Sequence, residues 1–117
     1  VVSTDTSGVG TARHGLGAAG YGADKAIFGY GTNGSNISLT NLVNNVGVVS
    51  GDVTGVGTAR HWVSACSYGG DKAIFGYGTV VGCSNLSNKV SNVGVVATDT
   101  SGVGYARSGS AALGYSV

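Results

Sequence analysis

The chain has 117 residues, 42% hydrophobic and only 9% charged, with a net charge of +1. An ordinary globular domain carries about 25% charged residues, so this surface is poorly suited to a freely dispersed monomer, while the apolar content excludes a disordered polymer. There is no basic stripe to follow a nucleic-acid backbone, and no apolar run of the roughly 18–20 residues that a membrane span requires.

The sequence copies itself with a period of 47 residues. Residues 1–47 (repeat 1) align without a gap on 48–94 (repeat 2), with 29 of 47 positions identical, and 95–117 form half of a third copy. Gly8-Val9-Gly10-Thr11-Ala12-Arg13 returns at Gly55 and, with Tyr105 for Thr, at Gly102; residues 24–32 return unchanged as 71–79. The charges keep the same phase. Asp5, Asp52 and Asp99 coincide, as do Arg13, Arg60 and Arg107, and Asp24-Lys25 with Asp71-Lys72. A fixed period of this length signals one supersecondary unit packed on its own copies, so residues 1–117 read as one repeat module.

Four strands are expected per period. Residues 13–21 are small and glycine-rich, which suits a place where backbones approach closely. Residues 25–30, Lys-Ala-Ile-Phe-Gly-Tyr, give the strongest strand signal in the chain. Residues 37–43 alternate, and residues 46–50 are β-branched. Polar and glycine turns separate them at 21–24, 32–35 and 6–8. No segment sustains a 3.6-residue apolar period, and 23 glycines would penalise helix interiors. The fold class is therefore all-β. Four strands per 47 residues match a β-propeller blade, two and a half of them here, with both faces of a blade covered by neighbours; a β-solenoid or fibre-type repeat is the alternative. Cys66 and Cys83 replace Ala19 and Asn36 of repeat 1, and are expected as two small, buried or half-buried thiols, two strands apart in a meander and so too distant to bridge. Val1-Val2-Ser3 lacks the basic start and apolar core of a signal peptide.

Candidate binding residues are few. His14 and His61 share a repeat position beside Arg13 and Arg60, but a metal site wants three or four ligands, so no metal or other cofactor is expected. Arg13, Arg60 and Arg107 suit either a cationic ring for anionic groups or repeated ties to aspartates. Tyr21, Tyr30, Tyr68 and Tyr77 occupy repeated strand positions that point to core packing. Trp62 differs, because its equivalents are Gly15 and Gly109; it is the best candidate for a contact specific to one copy, such as stacking on a sugar. The stretch 33–40, matching 80–87, differs most between copies, and recognition is expected there. No phosphate-loop pattern accompanies the glycines.

Thr11-Ala12-Arg13-His14 followed by small residues, then Lys25 to Gly31, resembles the start of the kelch-type propeller repeat. The double glycine of that pattern becomes Gly29-Tyr30-Gly31. In wording, the repeats also resemble those of structural, tail-fibre-like proteins of marine phages. The resemblance implies a non-enzymatic structural or adhesive module in an extracellular or virion-associated assembly. The expected partners are copies of the chain itself or the rest of a longer repeat protein. Multivalent glycan binding and filament assembly are the competing expectations.

Overall fold

A computed structural model describes residues 1–115; Ser116 and Val117, the end of the expected half repeat 95–117, lie outside the described residues. The described residues form six strands and no helix: β1 (Gly17–Tyr21), β2 (Lys25–Gly29), β3 (Thr40–Val43), β4 (Ser64–Tyr68), β5 (Lys72–Gly76) and β6 (Ser87–Val90). They make two antiparallel three-stranded meanders, β1-β2-β3 and β4-β5-β6, one per repeat. Register is copied with the sequence: Ala18 faces Phe28 and Phe28 faces Asn41 in the first sheet, as Ala65 faces Phe75 and Phe75 faces Asn88 in the second.

The expected boundaries shift for identifiable reasons. The first strand starts at Gly17 rather than residue 13, because Gly15 takes a left-handed φ of 65°. The second stops at Gly29, since Tyr30 turns left-handed at φ 64°. The third begins at Thr40 rather than residue 37. The expected fourth strand of each repeat is reduced to isolated bridges, Val43↔Val49 and Thr40↔Val53, then Val90↔Val96 and Ser87↔Thr100. Single backbone bonds persist there, such as Ser50 N to Leu42 O (2.9 Å) and Ala97 N to Lys89 O (2.8 Å), but an asparagine side chain takes part of the ladder in each repeat. Asn41 Nδ2 donates to the Ser50 carbonyl (3.2 Å) and Asn88 Nδ2 to the Ala97 carbonyl (3.1 Å), and in the first repeat Leu42 N also turns to Ser50 Oγ (3.2 Å). Each repeat is three strands and a tethered edge segment, and the described residues form no closed sheet.

Alternation along each strand gives a sheet two unlike faces. One carries Ile27 and Gly29 (Ile74 and Gly76 in the copy); the other carries Phe28 (Phe75). The sheets pack with the isoleucine face of the first against the phenylalanine face of the second. Ile27 and Phe75 are fully buried there, with Tyr21, Tyr30, Val63 and Ala73 around them. Phe75 meets Tyr30 edge-on at 5.0 Å and lies over Gly29, where a Cβ would collide with its ring. A glycine is needed at that close approach. Burying a phenylalanine contributes about 3 kcal/mol. Backbone bonds reinforce the joint: Gly31 N to Arg60 O (2.9 Å), Gly22 N to Asp71 O (2.6 Å) and Trp62 N to Gly15 O (2.6 Å).

Both faces of every sheet were expected to be covered. Each sheet instead has one face covered by the other sheet; the phenylalanine face of the first stays partly open, and the isoleucine face of the second is met only by residues 105–115. Phe28 is 37% exposed where Phe75 is 0%. Of the repeated tyrosines, Tyr21 and Tyr30 are core, whereas Tyr68 and Tyr77 are not. Both thiols are unbridged; Cys66 is half-buried as expected, but Cys83 is exposed, because it lies in the loop after β5 rather than in a strand.

Candidate functional site

The repeated arginines organise the polar part of each repeat. Arg60, fully buried, donates from Nε to the Tyr77 carbonyl (2.8 Å), from Nη1 to the Thr58 carbonyl (3.0 Å) and from Nη2 to Asn88 Oδ1 (2.6 Å). Its guanidinium also lies 4.6 Å from the Tyr30 ring centroid, in the preceding repeat. Charge-assisted bonds and the aromatic face offset the cost of desolvating a cation that has no carboxylate directly against it. Arg13 repeats the three bonds with Tyr30 O (2.8 Å), Thr11 O (3.0 Å) and Asn41 Oδ1 (2.7 Å). Arg107 makes the Tyr105 carbonyl bond (3.0 Å) and stacks 3.7 Å from the Tyr77 centroid.

The arginine–aspartate tie expected from the charge phase is indirect. Asn88 passes from Arg60 to Asp99, donating from Nδ2 to Oδ1 at 2.9 Å, and Asp99 accepts from Thr58 Oγ1 at 2.6 Å. Asn41, Asp52 and Thr11 repeat this at 3.0 and 2.6 Å. The Thr11 and Asn41 hydrogen bonds hold the Asp52 carboxyl below its ordinary range. For Asp99, partial burial pushes upward, but the Thr58 and Asn88 bonds outweigh it and the shift is again downward. Gly10, at φ 76°, abuts the Asp52 carboxylate so closely that a Cβ would collide with it. The direct ion pairs among the described residues are between sequence neighbours, Lys25–Asp24 and Lys72–Asp71, each 2.7 Å.

His14, Trp62 and His61 are brought together. The Trp62 ring is 6.4 Å from His14 and 6.2 Å from His61, and Trp62 is 51% exposed. Asn36 orients one imidazole. Its Nδ2 donates to the Val80 carbonyl (2.9 Å), which turns its Oδ1 toward His61 Nδ1 at 2.6 Å. An amide oxygen only accepts, so Nδ1 carries the proton and a neutral His61 keeps its lone pair on Nε2. The variable loops meet here, through Asn36 and Val80. An exposed indole flanked by two imidazoles offers an apolar face and polar edges, the elements of a sugar-stacking surface. Among the described residues no group of three or more His, Cys, Asp or Glu is placed to hold a metal ion.

The sequence reading missed Asn41, Asn88 and Asn36. The first two carried a signal, since they are identical across repeats and follow each arginine by 28 residues. Asn36 carried none, because its counterpart is Cys83. No protein-family model and no curated protein matches this chain.

Proposed function

We propose that the chain is a non-enzymatic structural or adhesive repeat module of an extracellular or virion-associated assembly, and that its sheets are blades of a propeller-type array. The observation that carries this reading is the use made of Arg60. A charge repeated in phase is fully buried and bonded to three acceptors, and it packs on the tyrosine of the preceding repeat. The face-to-face stacking of like sheets supports the blade reading. Replacing Arg60 by Met tests the architectural role: cooperative unfolding should shift to clearly lower temperature, with Arg107→Met far milder. An Arg60→Met protein that melts like the wild type would remove the basis of this reading.

A second reading, a lectin-like module, is favoured by the His14–Trp62–His61 row. Its test is a glycan array, with Trp62→Gly as control. Binding that disappears in the variant supports it, and an array silent with wild-type protein overturns it.

A further inference from the structure

The isoleucine face of β4-β5-β6 repeats that of β1-β2-β3, but residues 105–115 lie along it without a phenylalanine to fill the place that Phe75 takes on the first sheet. In the first sheet the space over Gly29 is filled by the Phe75 ring; over Gly76 an added Cβ would meet nothing within 4 Å. What lies there is a cavity of about 240 Å³ lined by Ser64, Cys66, Ile74, Gly76, Tyr77 and Ser87, closed on one side by Val103 and Ala112. At the opposite end of the stack the matching side chain is unused. Phe28 sits in the same Lys-Ala-Ile-Phe-Gly strand as Phe75 and is 37% exposed.

We infer that a second copy of this chain docks head to tail, with its Phe28 seated over Gly76 as Phe75 is seated over Gly29. This rests on the structural reading above and identifies the partner. The occupant follows from the joint already inside the chain, which is built by a strand of identical sequence on a surface of corresponding residues. The arginines are complementary in the same sense. Arg13 has the Tyr30, Thr11 and Asn41 bonds but stacks on no ring among the described residues, whereas Tyr77 carries Arg107, whose own bond is to the Tyr105 carbonyl. An incoming Arg13 on Tyr77 reproduces the complete Arg60 arrangement.

Residues 105–115 stand where residues 11–21 of the incoming copy, which end in β1, would lie, as their bonds Gly78 N to Arg107 O (2.9 Å) and Gly109 N to Trp62 O (3.1 Å) show by analogy with Gly31–Arg60 and Trp62–Gly15. They are mostly exposed, with Leu113 at 88%. Docking displaces this segment and replaces its contacts by those of a complete sheet. The contact joins unlike surfaces, so it propagates, to a ring if the rotation closes and to a filament if it does not.

Sedimentation velocity over a range of concentrations tests the inference. Wild-type protein should associate, and Phe28→Ser and Gly76→Val should each remain monomeric. Both sites leave the isolated fold room, since Phe28 is partly exposed and the space over Gly76 is open. Mixed together, the two variants should form pairs that grow no further, because one retains the socket and the other the phenylalanine. In a Cys83→Ser background, labelling of Cys66 by a thiol reagent should slow as concentration rises. Wild-type protein that stays monomeric, variants that associate like wild type, or a mixture that forms no pairs would each overturn the inference. The Arg60→Met melting result is unaffected by any of these, so failure of the interface and failure of the structural reading are told apart.

Discussion

Trp62 holds a left-handed backbone, φ 53°, at a position that Gly15 and Gly109 occupy at φ 65° and 64°. For a residue with a Cβ this conformation costs about 1–2 kcal/mol, and strain of that kind gathers at sites with a use. Trp62→Gly should therefore keep the fold, with stability in denaturant titration within about 1 kcal/mol of wild type, the relieved strain offsetting lost ring contacts. Asn88 should behave oppositely. Asn88→Ala leaves the buried Arg60 Nη2 without its acceptor, and removing a bond to a charged group costs about 1.5–3 kcal/mol. Asn41→Ala, beside the less buried Arg13, should cost less in the same titration. The repeated Arg and Asp were legible as architectural partners in the sequence. The amide between them was not, because nothing in an Asn spacing says which two groups it bridges. Trp62 stood out by contrast with two glycines, a signal that needs no geometry.

At the level of the element, the third strand and the segment after it are held to the start of the repeat by an aspartate clasp. Asp52 binds Thr11 and Asn41; Asp99 binds Thr58 and Asn88. Both carboxyls sit below their ordinary value of 3.8 in the folded chain. A depressed folded value stabilises the fold above the unfolded value, and that contribution is lost as pH falls through the folded one. Thermal unfolding should thus be nearly level from neutral pH to about pH 5 and shift to lower temperature below about pH 4. An Asp52→Asn, Asp99→Asn double variant should melt lower at neutral pH and show a flatter acid limb. Asp24 and Asp71, lowered chiefly by the hydrogen bond from the adjacent lysine, lie at exposed turns and add little. The strand Lys25–Gly29 was readable from its apolar run, whereas the expected fourth strand was not realised. β-Branched residues at 46–50 announce extended backbone, but in both repeats an asparagine, Asn41 or Asn88, takes a carbonyl that a ladder would use.

Across the whole molecule, identical sequence meets unequal surroundings. Residues 24–32 and 71–79 are the same nine residues, yet Phe28 is 37% exposed and Phe75 is 0%. The repeat made the all-β class and the copied unit legible, but the run Ala-Ile-Phe, read as a strand covered on both faces, has Phe28 partly exposed in the first sheet. It could not say which face is covered, because that depends on which neighbour is present rather than on anything in the strand. Stability should separate the two phenylalanines at protein concentrations low enough to keep the chain monomeric. Phe75→Ala empties the space between the sheets and should cost about 3–5 kcal/mol in denaturant unfolding. Phe28→Ala removes a partly exposed ring and should change stability by no more than about 0.5 kcal/mol. Equal losses would mean that the face carrying Phe28 is already covered in the isolated chain, and that the joint between the sheets is not the main source of its stability. Unequal losses that converge as concentration rises would tie the exposed phenylalanine to contact between copies, since association adds to apparent stability by mass action.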